Sequence, residues 1–93
     1  MGMKARQRPE RLAEKLLQIR TALGLSQSGL LRLLELEDSI SYKKISDYEL
    51  GNREPSLLIL LRYARAANVS TDVLIDDDLD LPEKLPAKVK YRP

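Results

Sequence analysis

Cysteine and histidine are both absent from this sequence of 93 residues. The chain therefore has no disulfide framework and no thiolate metal site, and it lacks the side chain that most often serves as general base or metal ligand. It also shows no glycine-rich loop for cradling phosphate and no pair of carboxylates placed for a cleft. We expect neither an enzyme nor a bound metal or other cofactor.

Long apolar segments are missing as well. The longest apolar run, Leu57 to Leu61, is far too short to span a bilayer. The N-terminus is charged from Lys4 onward and no apolar segment follows, which argues against a signal peptide. We therefore expect a cytoplasmic protein without a membrane partner. Its length and its 43% of hydrophobic residues fit one small globular domain with a modest core.

Charge is unevenly distributed along the chain, although its net value is only +2. Residues 1–20 carry six Lys/Arg against two Glu, residues 54–81 carry two Arg against six Asp/Glu, and the last twelve carry four basic residues against one acidic. A flexible basic leader, residues 1–8, thus precedes the predicted domain, residues 9–78, and a Pro/Lys-rich tail, residues 79–93, follows it. Such termini suit a polyanionic partner, and the alternative is that they are only solvated.

Helical spacing of apolar residues predicts five helices. Pro9 and Glu10 suit the first turn of the first helix, Lys15 lies on its outer face, and Gly24 ends it. The remaining helices each begin at a serine that can act as N-cap, namely Ser26, Ser41, Ser56 and Ser70. The predicted inward positions of the first, second and fourth helices are mostly leucines: Leu12, Leu16, Ile19 and Leu23; Leu30, Leu31, Leu33 and Leu34; Leu57, Leu60, Leu61 and Ala64.

Residues 41–55 contain the third helix, which we interpret as a recognition helix. Ile45 and Tyr48 share its inner face, with Leu50 near the inner edge, and Gly51 ends it. Each outward side chain either contacts base edges or phosphates or is an ordinary surface residue. A carboxylate among them can accept a hydrogen bond from a cytosine amine, but it repels phosphate. These outward residues are Tyr42, Lys43, Lys44, Ser46 and Asp47.

The fourth helix is more apolar than one inward stripe requires. Ile59, Tyr63 and Ala66 form a second stripe on another flank, and exposed apolar patches on soluble domains usually mark contact surfaces. Either a second copy of the protein or the chain's own tail could cover this stripe, the tail through Leu79, Leu81 and Leu85. We favour a symmetric homodimer formed by the fourth and fifth helices.

The sequence contains two clusters of acidic residues. The run from Asp76 to Asp80 lacks the glycine and the distal glutamate of a calcium-binding loop, so we assign no metal to it. Glu35, Glu37 and Asp38 lie between the second and third helices, and phosphates would repel them. This second cluster should therefore face away from any nucleic acid.

These features together resemble the Cro and phage-repressor type of helix-turn-helix, also called the xenobiotic-response-element family. The resemblance covers residues 16–75. It includes L-G-L-S-Q from Leu23, I-S-x-Y-E-x-G-x-R-x-P from Ile45, and L-x-x-L-L-x-x-A from Leu57. It implies a compact, all-α domain of five helices that binds double-stranded DNA in a cytoplasm of bacterial or phage type.

The resemblance also implies roles for individual residues. Gln27 would bind a phosphate, and Asn52 and Arg53 would contact the DNA backbone. Arg20 and Glu49 would form a buried ion pair tying the first helix to the third. The residues predicted to bind DNA are Gln27, Ser41, Tyr42, Lys43, Lys44, Ser46, Asp47, Asn52 and Arg53.

Two departures from the family pattern concern the segment before the third helix. Ten residues separate Leu34 from Ile45, whereas the family usually has six. The four extra residues, about one helical turn, either lengthen the second helix or enlarge the turn. Glu35 stands where the family often has glycine.

Two functions fit this sequence. The first is a sequence-specific DNA-binding repressor that acts as a dimer on a palindromic operator. The alternative is an antitoxin-like interaction module that neutralises a partner protein and binds DNA secondarily. Binding to a defined operator without a partner, with steep salt dependence, would favour the first.

Overall fold

The computed structural model describes residues 8–86 and places five α-helices and no strand in them. The helices are α1 (Leu12–Ala22), α2 (Gln27–Leu33), α3 (Tyr42–Leu50), α4 (Leu57–Ala67) and α5 (Thr71–Ile75). The predicted all-α class and five-helix architecture are confirmed. Most of the basic leader and the end of the tail lie outside the described residues. Within residues 8–86, no helix is long and apolar enough to cross a bilayer.

Helix α1 lies at the centre of the fold, because it packs against α3, α4 and α5, while α2 packs on α3. Leu36 from the turn after α2 and Leu81 from the segment after α5 are buried in the same core, and Leu85 packs against it. The packed unit therefore extends beyond residue 78, where the sequence suggested a boundary. The helices contribute Leu12, Leu16, Ile19, Leu30, Leu31, Ile45, Tyr48, Leu60, Tyr63, Ala64, Ala67 and Leu74 to this core.

Short polar residues and glycines set most helix ends as predicted. Three serine hydroxyls each accept a hydrogen bond from a first-turn amide at 3.0–3.3 Å, those of Ser26, Ser41 and Ser56. Ser70 precedes α5 without making such a bond. Gly24 and Gly51 take the left-handed φ values of 70° and 80° that end α1 and α3.

The extra residues before α3 enlarge the turn and do not lengthen α2, since the connection runs from Leu34 to Ser41. Glu35 takes a left-handed φ of 60°, and the amide of Leu36 then donates back to the carbonyl oxygen of Leu31 at 3.0 Å. This turn buries Leu36 but leaves Leu33 exposed. The prediction that Leu33 faces inward is wrong. Leu30, Leu31 and Leu34 are buried as predicted, and Leu36 is buried with them.

Arg62 of α4 fixes the enlarged turn in position. Its Nη1 donates to the carbonyl oxygens of Leu34 at 2.8 Å and Glu35 at 3.1 Å. The last carbonyls of a helix lack partners within the helix and carry partial negative charge, so a guanidinium there is stabilising. The longer connection between α2 and α3 is therefore held by both a buried leucine and an arginine.

We expect Glu35→Gly to stabilise the domain. A non-glycine residue in the left-handed region destabilises the fold by roughly 1–2 kcal/mol. Glycine removes this cost, but its greater conformational freedom in the unfolded chain cancels part of the gain. A net gain of about 1 kcal/mol would raise the melting temperature by about 4–8 °C. Thermal unfolding followed by circular dichroism measures this. The matched control is Glu37→Gly, which removes the same charge at a residue without positive φ; equal melting temperatures for the two variants would refute the prediction.

Helix α4 is rotated relative to its predicted orientation. Leu57 and Leu58 are 81% and 71% exposed, whereas Tyr63 is fully buried and Ile59 and Ala66 pack partly against the core. The predictions of an inward Leu57 and of an exposed stripe through Tyr63 are therefore wrong. Apolar residues occur on almost every side of this helix, so their spacing alone does not fix its rotation. The inward stripe consists of Leu60, Tyr63, Ala64 and Ala67.

The acidic run from Asp76 to Asp80 holds the beginning of α1. The carboxylate of Asp77 accepts hydrogen bonds from the backbone amides of Glu10 at 2.9 Å and Arg11 at 3.0 Å. The Arg11 guanidinium donates to the carbonyl oxygen of Asp77 at 2.9 Å and pairs with the Asp80 carboxylate at 2.6 Å. Asp77 thus holds the two residues immediately before α1, from a position 66 residues further along the chain than Arg11.

Two predictions about α1 are corrected by these contacts. The helix begins at Leu12 and not at Pro9, and Asp77 binds the amides of Glu10 and Arg11, which precede it. Lys15, expected on the outer face, is fully buried. Its Nζ donates to the carbonyl oxygens of Val73 at 2.8 Å and Asp76 at 2.9 Å, where α5 ends. A lysine of α1 therefore caps α5, and an aspartate after α5 holds the residues just before α1.

The hydrogen bonds that Asp77 accepts just before α1 predict that the free energy of unfolding falls in acid. The two backbone hydrogen bonds from Glu10 and Arg11 lower the pKa of Asp77 below its ordinary value. A carboxyl group whose pKa is lower in the folded than in the unfolded state stabilises the fold. This stabilisation is fully present above the unfolded pKa of about 3.9, and it is lost as the pH falls through the pKa of the folded state. The unfolding free energies of the wild type and Asp77→Asn should therefore converge below pH 4.

Urea denaturation at several pH values between neutral and acid measures this convergence. Asp78→Asn is the control, since it removes a charge from the same segment without touching the amides of Glu10 and Arg11. A difference between the wild type and Asp77→Asn that stays constant at all pH values would contradict the assigned role of Asp77.

Candidate nucleic-acid interface

Helix α3 turns Ile45 and Tyr48 into the core, as predicted. Leu50, expected near the inner edge, is 69% exposed, because the helix ends there before the chain turns away. The other side of the helix carries the side chains predicted to bind DNA, exposed or half-buried: Tyr42, Lys43, Lys44, Ser46 and Asp47. The hydroxyl of Ser41 accepts from the Lys43 amide at 3.2 Å and so serves the helix start.

Arg20 of α1 and Glu49 of α3 form a bidentate ion pair, the one that the family resemblance implies. Arg20 Nε lies 2.6 Å from Glu49 Oε2, and Nη2 lies 3.1 Å from Oε1. The Glu49 side chain is 5% exposed and that of Arg20 20%. Arg20 Nη1 also donates to the carbonyl oxygen of Leu25 at 2.9 Å. One guanidinium therefore joins α1, the turn before α2, and α3.

Gln27 at the start of α2 belongs to the same network. Its Nε2 donates to Glu49 Oε1 at 3.1 Å, so its side chain is held against α3. An amide nitrogen carries two N–H donors, so the second can donate to another acceptor, such as a phosphate oxygen. The direction of this second donor depends on Glu49, the carboxylate that also ties α3 to α1.

The loop after α3 is tied back to the end of that helix. The amide of Asn52 donates to the Asp47 carbonyl oxygen at 2.9 Å, and Arg53 Nε lies 3.6 Å from Asp47 Oδ2. The two charged side chains are 59% and 37% exposed, and an ion pair of that kind contributes only about 0–1 kcal/mol. A phosphate can therefore displace Asp47 from Arg53 at little cost.

These contacts place the start of α2, the outer side of α3 and the following loop next to one another. The residues predicted to bind DNA come from these three segments. A comparison with protein families matches residues 16–74 to the helix-turn-helix family. The chain belongs to the Cro and phage-repressor type of helix-turn-helix family. DNA binding and transcription regulation are therefore its general role. No curated protein and no solved structure matches the chain.

Three side chains that position this helix-turn-helix were missed by the sequence interpretation: Lys15, Arg62 and Asp77. Lys15 and Arg62 each satisfy the end of a helix to which they do not belong, and Asp77 holds the residues just before α1. The preference of cations for helix C-termini and of carboxylates for N-termini is general. Arg62 and its partner Leu34 are 28 residues apart, however, so no local spacing marks the contact.

We expect Glu49→Ala to unfold most of the protein at 37 °C. Removing one partner leaves Arg20 partly buried without its counter-charge, at a cost of roughly 3–5 kcal/mol, and a small domain has about that much stability in total. Differential scanning calorimetry measures the effect. The control is Asp47→Ala, which removes one partner of an exposed ion pair two residues away and should change the unfolding free energy by less than about 1 kcal/mol. Similar melting temperatures for both variants would show that the buried pair does not support the fold.

Proposed function

We propose that this protein is a transcriptional repressor that binds a palindromic DNA operator as a homodimer. The observation that supports this most is the arrangement of α3. Its inner face is fixed by Ile45, Tyr48 and the Glu49 ion pair, while its outer face presents side chains suited to base edges. A recognition helix must be rigid to distinguish bases, because each good bidentate contact discriminates by only about 1–3 kcal/mol.

The outer residues divide by what each can recognise. Lys43, exposed in the first turn of α3, can donate to the O6 and N7 of guanine. Tyr42 beside it is half-exposed and can contact a thymine methyl or a phosphate. Asp47 can accept from a cytosine amine once Arg53 has moved to a phosphate. The remaining proposed contacts to DNA are made by Gln27, Ser41, Lys44, Ser46 and Asn52.

A second copy of the chain is the proposed cover for the exposed start of α4. Leu57 and Leu58 are the most exposed large apolar residues among those described, and they are adjacent. Such a patch favours self-association, since burying apolar surface contributes about 25 cal/mol per Å². A two-fold dimer places two recognition helices about 34 Å apart, one turn of DNA. Repression follows where such an operator overlaps a promoter.

Two substitutions separate base reading from phosphate binding. Lys43→Ala should weaken binding to the operator by about 1–3 kcal/mol and relax the preference at one base pair. Gln27→Ala should weaken binding to all DNA sequences equally. Titrations of labelled operator and of single-base variants measure both effects. Arg65→Ala, which removes an exposed charge on α4, is the control and should leave binding unchanged. Unchanged affinity in both test variants would refute the assignment of the DNA-binding face.

The dimer is tested by Leu57→Asp combined with Leu58→Asp. Both positions lie in the first turn of α4, where aspartate is favourable for the helix, so the fold should survive. Sedimentation equilibrium at micromolar concentration should show a dimer for the wild type and a monomer for the variant. Leu33→Asp, at an exposed leucine of α2, is the control and should remain dimeric. A monomeric wild type that binds a non-palindromic site would overturn the dimer.

A further inference from the structure

The Tyr63 side chain of α4 is fully buried, and its hydroxyl has no hydrogen-bond partner among residues 8–86. A hydroxyl that leaves water without gaining a partner destabilises the fold, whereas a phenylalanine at the same position would not. Such an atom therefore needs a partner from outside the protein chain, or it leaves the fold less stable.

The charged groups nearest in effect to this hydroxyl are the two members of the ion pair that ties α1 to α3. Burial raises the pKa of Tyr63, Glu49 and Tyr48 raise it further, and Arg20 lowers it. At neutral pH, Glu49 is the group among these that carries the negative charge a hydroxyl donor prefers. The buried hydroxyl of α4 therefore lies within the electrostatic reach of the carboxylate that orients Gln27.

The Glu49 carboxylate can accept one more hydrogen bond than the described residues donate to it. Oε2 accepts from Arg20 Nε, and Oε1 accepts from both Arg20 Nη2 and Gln27 Nε2. A carboxylate offers about four lone-pair sites, so one remains at Oε2. Because the Glu49 side chain is only 5% exposed, bulk water has little access to this site, and a donor from the interior suits it.

We propose that Tyr63 is a positioning residue of the DNA-binding site, whose hydroxyl donates to Glu49 Oε2 through one buried water molecule. The inference rests on the proposed DNA-binding function. A buried water is stable when it has two to four polar partners, and Tyr63, Glu49 and Arg20 provide three. Through this link α4 holds the carboxylate that orients Gln27. The competing interpretation is that the hydroxyl is unpaired and that Tyr63 only fills the core.

Removal of the hydroxyl alone distinguishes the two interpretations by the sign of the change in melting temperature. Tyr63→Phe keeps the ring in the core. If the hydroxyl is linked to Glu49, the variant loses hydrogen bonds, and its melting temperature should fall by about 4–8 °C. If the hydroxyl is unpaired, the variant loses a destabilising polar atom, and its melting temperature should rise.

Thermal unfolding followed by circular dichroism measures this change. The control is Tyr42→Phe, which removes a hydroxyl from a half-exposed tyrosine and should leave the melting temperature unchanged. A melting temperature of Tyr63→Phe that equals or exceeds that of the wild type overturns the link to Glu49.

DNA binding separates a positioning role from a merely structural one. Tyr63→Phe should weaken binding to all DNA sequences by roughly threefold to tenfold, because Gln27 loses its fixed orientation. In a Gln27→Ala background the same substitution should cause no further loss, since the side chain that Tyr63 positions is gone. Titrations of labelled operator and of random DNA, made well below the melting temperatures, measure both effects.

The control for these titrations is Leu60→Val, which disturbs the buried face of the same helix without removing a polar group. It should change DNA affinity by the same factor in both backgrounds. Equal losses from Tyr63→Phe with and without Gln27, or no loss in either background, overturn the positioning role while leaving the proposed function intact. If the wild type binds no DNA at all, the proposed function fails, and the melting temperatures alone decide the link to Glu49.

Discussion

The buried ion pair between Arg20 and Glu49 is the constraint on which the arrangement of this domain depends. Two charges removed from water are stable only when their partners satisfy them closely, so the pair tolerates little displacement of α1 relative to α3. Arg20 Nη1 also donates to the carbonyl oxygen of Leu25 in the turn before α2. Glu49 Oε1 also accepts from Gln27 Nε2 and so orients that side chain. The positions of the proposed base-reading helix and of a proposed phosphate contact thus both depend on the Glu49 carboxylate.

The rest of the fold stabilises short helices through side chains that come from elsewhere. Isolated helices of five to eleven residues are not stable in water, and their free terminal groups need partners. Lys15 supplies such partners to α5 and Arg62 to the turn after α2, while Asp77 binds the two amides just before α1. These contacts also connect α3 indirectly to the segment after α5, since the ion pair with α3 lies near one end of α1 and the contacts of Asp77 lie at the other.

Local patterns predicted much of this structure. The five helices, the caps at Ser26, Ser41 and Ser56, the left-handed glycines and the inward Ile45 and Tyr48 follow from spacing and short-range chemistry. The rotation of α4 did not, because its sequence is apolar around most of the helix and only packing selects Tyr63 over Leu57. The buried Lys15 was also unpredictable, since its partners are carbonyl groups that any sequence carries. The proposed site came from the family resemblance, because no local pattern establishes which residues bind DNA.

Selection of bound sequences from a random DNA pool tests the central claim most directly, that α3 held by this ion pair reads DNA sequence. If the account is correct, selection converges on one palindromic site whose half-sites are centred about 10 base pairs apart. The protein should bind this site at least about a thousandfold more tightly than unrelated DNA at the same salt concentration. A pool that shows no enrichment, or equal affinity for selected and random sequences, would contradict it.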